Sequence, residues 1–95
     1  MLSDSEVLVF TSSFCGYCTA AKRLLAKESV PFREVNLDGD PEARTNLVKA
    51  SGGRRTVPQI FVGKVHVGGY DDLARLHRRG GLDPLLEEQG VQRAP

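Results

Sequence analysis

Val7-Leu8-Val9-Phe10, then Thr11-Ser12-Ser13-Phe14, then Cys15-Gly16-Tyr17-Cys18: an apolar run leads within a few residues to a pair of thiols. Glu6 to Phe10 is continuously apolar after its first residue, the pattern of a strand buried on both faces. Ser12 and Ser13 interrupt it. From Tyr17 to Glu28 the apolar positions Tyr17, Ala20, Ala21, Leu24 and Leu25 return at intervals of three and four. That is a helix stripe, with Lys22, Arg23 and Lys27 on the wet side. The sulfurs therefore lie between a strand end and a helix head, and they are the only cysteines in the chain. A pair this close cannot staple distant parts of a fold. It can open and close as a disulfide, one sulfur attacking a substrate and the other resolving the product.

Working outward, Ser29 to Pro31 ends the first helix, and Phe32, Val35 and Leu37 sit in a second short strand. Asp40-Pro41 reads as a helix N-cap followed by proline at the first helical position. Ala43, Leu47 and Val48 supply the buried stripe, and Gly52-Gly53 stops that helix. Gln59 to Val62 and Val65 to Val67 are strands joined by Gly63-Lys64, a hairpin signal. Gly68-Gly69 leads into a helix from about Asp71 to Arg79, with Leu73 and Leu76 inside. Asp83-Pro84 repeats the cap-plus-proline signal for a last short helix, and Gln89 to Pro95 has the look of a frayed tail. The order is β-α-β-α-β-β-α with a short extra helix. One α/β domain over residues 1–95, a helix-flanked sheet of about four strands, accounts for the chain.

The chain has 95 residues, 40% hydrophobic and 26% charged, with a net charge of +1. That is enough for one core, and no large single-sign field exists to hold nucleic acid or a membrane surface. The longest apolar run, Val7 to Phe10, is far too short to span a bilayer. Met1 to Glu6 shows no basic stretch leading into an apolar one, so no secretory signal is visible. With no disulfide framework, a reducing cytoplasmic setting is expected.

The thiols admit three readings. Structural zinc needs about four ligands, and the only added nitrogen donors are His66 and His77, neither at finger-like spacing. Inert buried thiols are a second, since free cysteine often behaves as a small hydrophobe. A redox pair is the third, and local electrostatics favour it. Cys15 lies where helix N–H groups are unpaired and the macrodipole is positive. No acidic residue occurs from Gly16 to Lys27 to cancel that field. Such sites bring a thiol from a pKa of about 8.5 to roughly 3.5–7.5. Cys18, one turn further in, should be less exposed, which makes Cys15 the attacking thiol and Cys18 the resolving one.

Four pieces in order, Cys15-Gly16-Tyr17-Cys18, Thr56-Val57-Pro58-Gln59-Ile60-Phe61, Gly68-Gly69-Tyr70-Asp71-Asp72-Leu73 and Gly80-Gly81-Leu82-Asp83-Pro84-Leu85-Leu86, give the chain its likeness to a family. It resembles small bacterial dithiol glutaredoxins across nearly its whole length. Thioredoxin itself fits less well, because the chain has no tryptophan. The resemblance implies a thioredoxin fold, with the second strand parallel to the first and the third and fourth antiparallel. It implies a glutathione-dependent oxidoreductase acting on glutathione mixed disulfides and disulfide-bonded proteins, among them reductases such as ribonucleotide reductase. A reduction potential of roughly −200 to −230 mV goes with it.

It also implies a glutathione groove. A cis Val57-Pro58 bond would turn Val57 N–H and C=O toward the cysteinyl part, beside Thr56, in the manner of strand addition. The plainer reading is that Pro58 only ends a strand edge. N–H groups of Tyr70 and Asp71, after Gly69, would bind the γ-glutamyl carboxylate, with Asp71 or Asp72 on the amine; a glycine turn with an acidic cap would look similar. Arg54 and Arg55 could fork onto the glycyl carboxylate, or at least one of them could belong to a solvated loop. Tyr17 would cover the tripeptide; by periodicity alone it could be core.

Two positions depart from the family pattern. Ser12 stands where many relatives carry lysine, and Gly16 where proline is commoner. Some relatives with Gly or Ser at the latter place hold a [2Fe–2S] cluster between two subunits, using the first cysteine of each and two glutathiones. A cluster carrier or sensor is therefore the alternative, with Cys15 as ligand; otherwise a monomer is expected.

Overall fold

The computed structural model describes residues 5–94. Met1 to Asp4, on which much of the export-signal reading rests, and Pro95 of the tail lie outside the described residues. Along the chain run β1 (Val7–Thr11), α1 (Gly16–Lys27), β2 (Arg33–Asn36), α2 (Pro41–Ala50), β3 (Gln59–Val62), β4 (Val65–Gly68), α3 (Tyr70–Arg78) and α4 (Leu82–Glu88). The strands form a mixed sheet in the order β2-β1-β3-β4. β2 is parallel to β1, while β3 is antiparallel to both β1 and β4.

β1 and β3 are the inner strands, and every residue of both is buried. Their uninterrupted apolar runs suit that place. Side-chain alternation divides them between two cores. Val7, Val9, Ile60 and Val62 pack with Ala21 and Leu25 of α1, Leu73 of α3 and Leu82 and Leu86 of α4. Leu8, Phe10 and Phe61 pack with Ala43 and Leu47 of α2, Phe10 and Phe61 meeting edge to face at 5.8 Å. Leu47, almost wholly enclosed, is the kind of residue whose truncation to alanine costs about 2–5 kcal/mol. With a filled core on each face, β1 is a stiff mount for whatever follows it.

Several boundaries shift for physical reasons. β2 is an edge strand, so Arg33, Glu34 and Asn36 are exposed while Phe32 and Leu37 flank it. The inner side of α3 is Leu73 and Ala74, with Leu76 only half-buried. α4 begins earlier than Asp83-Pro84 suggests: its N-cap is Gly81 and Asp83 lies within its first turn. Burying Leu82 and Leu86 one turn apart sets that start, and Pro84 is still early enough to lack an N–H partner without cost.

The tail reading needs correction. Val91 is buried and its N–H meets the Leu86 carbonyl at 2.8 Å, while Ala94 N–H meets the Ser29 carbonyl at 2.8 Å. Arg93 reaches the Glu28 carbonyl and the Asp83 carboxylate. Gln89 Oε1 accepts from Lys64 N–H at 3.1 Å, tying the tail to the β3–β4 turn. One valine anchors a polar segment that composition alone reads as loose.

Candidate active site

β1 ends at Thr11, and a short loop carries the chain to Cys15, the N-cap of α1. Cys15 is extended (φ −111°, ψ 106°), and its Sγ accepts the Cys18 N–H at 3.1 Å. The two cysteines are joined as a disulfide. Cys15 is half-buried, whereas Cys18 is 2% exposed, on the inner face with Ala21 and Leu25. The chemistry follows from that asymmetry: a substrate sulfur reaches Cys15, and Cys18 reaches only Cys15. The first turn of α1 contains no acidic residue, and Lys27 sits in its last. The dipole is thus complemented at the C-terminal end and left to the sulfur at the other.

Two depressions flank this helix start. One, of about 520 Å³, is lined by Cys15 and Cys18 together with Ser12, Lys22, Glu34 and Asn36. Glu34 and Lys22 are the groups that sequence reasoning missed there. Thr11 Oγ1 donates to Glu34 Oε2 at 2.6 Å, and Lys22 Nζ lies 3.1 Å from the same oxygen. The Thr11 hydrogen bond chiefly holds the Glu34 carboxyl below its usual range; burial opposes it, and the hydrogen bond and charge of Lys22 add to the lowering. The stretch from Gly16 to Lys27 lacks acids, but the fold brings one from β2. It also brings Lys22 into the cleft that Ser12 lines, so a cation is present there from another position.

The second depression, about 220 Å³, unites three separate segments. Tyr17 comes from α1, Arg54, Thr56, Val57 and Pro58 from the loop before β3, and Gly69, Tyr70, Asp71 and Asp72 from the start of α3. Every proposed groove residue is gathered there except Arg55, which lies with Arg44, Leu47 and Val48 over α2. Arg54 thus lines the groove and Arg55 a separate depression. Val57-Pro58 is cis. Tyr17 is not core: it is 66% exposed and stacks on Tyr70, ring centres 6.0 Å apart.

Gly69 lines the groove, while Gly68 has a use that the sequence does not suggest. Gly68 adopts φ +120°, and a side chain there would collide with the Asp72 carboxylate. The close approach is therefore by Asp72, whose Oδ2 accepts Gly69 N–H at 3.0 Å while Oδ1 meets Arg75 at 3.3 Å. Asp72 is committed to capping α3. Asp71 beside it is exposed, and both acids line the groove.

His66 Nε2 lies 2.7 Å from Gln59 Oε1, and its ring stacks on Phe61 at 4.6 Å. Burial, then the Arg54 cation, pushes its pKa down, with Asp72 opposing. His77 is 3.7 Å from Glu28. Both imidazoles are engaged away from the thiols, and among the described residues no group of three or more His, Cys, Asp or Glu could hold a metal ion. A structural zinc site within the chain gains no support from the donor set. Phe14, which no periodicity singles out, is fully exposed beside Cys15 with φ +59°. Among the described residues no helix is long and apolar enough to cross a membrane.

Comparison with known proteins agrees with this geometry. The family model described as Glutaredoxin matches residues 7–67. Glutaredoxin 3 of Escherichia coli (strain K12) is 48% identical over 83 residues, covering 87% of this chain and 99% of that protein. The solution structure of glutaredoxin from Brucella melitensis superposes with a TM-score of 0.74 at 46% identity, over 88% of this chain and 90% of that one. The crystal structure of a buckwheat glutaredoxin–glutathione complex gives 0.78 at 34% identity, over 90% and 79%.

Proposed function

The chain belongs to the glutaredoxin family of thiol–disulfide oxidoreductases, with a thioredoxin fold and a Cys15–Cys18 redox pair, and from that premise we propose that glutathione is its reductant and part of its substrate. The observation that carries the reading is the groove itself: Tyr17, the Arg54–Pro58 loop and the start of α3, distant in sequence, converge on one side of the helix that bears the thiols. A relative with the same fold forms a complex with glutathione. Arg54 supplies a forked cation for a terminal carboxylate. The first N–H groups of α3 have no intrahelical partner and suit the γ-glutamyl carboxylate, with Asp71 free for its amine.

The Cys15 thiolate attacks the glutathione sulfur of a protein mixed disulfide. The Cys15–glutathione bond forms as the protein–glutathione bond breaks, and the leaving protein thiolate takes a proton. A second glutathione thiolate then attacks the glutathione sulfur held on Cys15, releasing oxidised glutathione and restoring the Cys15 thiolate. In the dithiol route Cys18 attacks Cys15 Sγ first, expelling reduced glutathione and closing the disulfide that the structure contains. Two glutathiones reopen it. Protein disulfides enter by the same attack. A reducing cytoplasm, where glutathione is kept reduced, suits such a cycle.

The test is reduction of a glutathionylated peptide by wild type, Cys15→Ser and Cys18→Ser. Cys15→Ser should be inactive, and Cys18→Ser should retain single-thiol turnover. An inactive Cys18→Ser beside an active Cys15→Ser would reverse the roles. Equal rates on a glutathione and a cysteine mixed disulfide of one peptide would remove the glutathione assignment.

A further inference from the structure

We infer that Gln59 is a positioning residue for the substrate groove: held by His66, it fixes Thr56 so that the hydroxyl faces substrate as a hydrogen-bond donor. The inference rests on the glutathione reading of that groove and deepens it. Gln59 opens β3, directly after the cis Val57-Pro58 bond, and is 1% exposed among apolar neighbours. A buried carboxamide is expensive unless both ends are satisfied. Both are: Nε2 donates to Thr56 Oγ1 at 3.1 Å, and Oε1 lies 2.7 Å from His66 Nε2.

The direction of each bond follows from what the atoms can do. A carboxamide oxygen only accepts, so His66 Nε2 carries the proton. The other end of the amide only donates, so it takes one of the two acceptor lone pairs of the Thr56 hydroxyl. The hydroxyl proton is left over. Thr56 is exposed and lines the groove, so that proton can be offered to a substrate carboxylate. His66 is kept in place by its stack on Phe61.

Thr56 sits in a loop without regular structure, and both ends of that loop are tied by side chains. Ser51 Oγ accepts Arg54 N–H at 2.9 Å and donates to the Leu47 carbonyl at 2.7 Å, which ties the start of the loop to the end of α2. Gln59 closes the other end. A wall held this way loses little freedom when ligand binds.

Two substitutions test the idea. Gln59→Glu keeps the shape but removes the donor to Thr56, so the hydroxyl must turn inward and donate to the new carboxylate. Gln59→Leu removes the link altogether. For the glutathione mixed disulfide of a peptide, each should raise KM about three- to tenfold, the range of one hydrogen bond, and leave kcat within about twofold. Thr56→Val should raise KM similarly, Thr56→Ser should restore it, and Gln59→Leu with Thr56→Val should be no worse than Thr56→Val alone. In wild type, ¹⁵N NMR should show neutral His66 protonated on Nε2. An Nδ1–H tautomer, an unchanged KM in either folded Gln59 variant, or additive losses in the double variant overturns the inference. If one Gln59 variant does not fold, the other and the tautomer decide. The same peptide linked to cysteine separates the two claims: wild type that does not prefer the glutathione form sinks the glutathione reading, whereas a preference undiminished in Gln59→Glu sinks only the role of Gln59.

Discussion

Asp40 at the start of α2 and Cys15 at the start of α1 occupy the same place and make the same bond: each accepts the N–H three residues on, at 3.0 Å and 3.1 Å. Their surroundings differ. Asp40 is followed by Pro41 and Glu42, so the positive end of α2 meets two acids and a residue already shaped for a helix start. Cys15 is followed by Gly16, and the first turn of α1 has no acid. A carboxylate is anionic throughout the neutral range, so the α2 cap is static. Sulfur is neutral in the disulfide and becomes a strong acceptor only as a thiolate. The same helix geometry that merely stabilises α2 therefore tunes reactivity in α1: the field that favours the thiolate is the field the thiolate relieves.

Making the two starts alike should have the largest effect. Cys15→Asp gives α1 a permanent anionic cap, so glutathione-dependent turnover should fall to background. Stability of the reduced protein should exceed that of Cys15→Ala by about 1 kcal/mol, the worth of a good N-cap. Thermal melts of the two variants check this, and an Asp variant no more stable than the Ala variant would show that the position does not act as a cap. Next is Gly16→Asp. A side chain at Gly16 meets open space, so the acid is accommodated beside Cys15. A charge at a helix N-terminus is worth about 0.3–1 kcal/mol, so the Cys15 pKa should rise by roughly a quarter to three-quarters of a unit. Alkylation rate against pH reads it directly; an unmoved midpoint would mean the sulfur does not feel that field.

The sequence makes one Asp-Pro helix start fully legible and the other only partly so. Asp40-Pro41 is a local signal, and the structure places it as read. Asp83-Pro84 is the same signal and misleads, because burying Leu82 moves the start of α4 earlier. β1, β3 and the hairpin between β3 and β4 were readable because apolar continuity and a Gly63 at φ +56° are local properties. The groove residues were reached through resemblance, and only the structure could separate Arg54 from Arg55 or show Asp72 committed to its own helix. Glu34, Lys22 and the link from His66 to Thr56 were invisible for a common reason. Each depends on strands or helices far apart in the chain meeting at one register, and no spacing along the sequence encodes that.

Smaller effects sharpen the contrast. Asp40→Ala should cost about 1 kcal/mol in denaturant unfolding and leave turnover unchanged, since no residue of α2 lines the groove or the Cys15 cleft. A loss of activity would mean that α2 reaches the thiols. Gly16→Pro copies the Asp40-Pro41 arrangement. Cys15 is already extended, as a residue before proline must be, and the first helical N–H needs no partner. A gain of about 0.4–1 kcal/mol is expected, read as a higher unfolding midpoint; destabilisation would show that the Gly16 N–H has a use.

The smallest effect concerns the acid that the fold brings to α1. Glu34 shares the Cys15 cleft, but Lys22 lies 3.1 Å from it and Thr11 2.6 Å. Its folded pKa lies below the usual value of 4.5, so over that window the unfolded chain binds more protons. The resulting stability is present above the unfolded pKa and lost as pH falls through the lower folded one. With the side chain 35% exposed, Glu34→Gln should cost no more than about 1 kcal/mol at pH 7, and the gap should shrink once acid has protonated Glu34 in the native wild type. The variant also leaves Lys22 without its counterion in a cleft that Cys15 lines. The Cys15 pKa should then move down, by less than the rise expected for Gly16→Asp. Alkylation decides between two roles: a fall means Glu34 normally restrains the Lys22 charge, and a rise means it has been holding Lys22 where the thiolate can feel it.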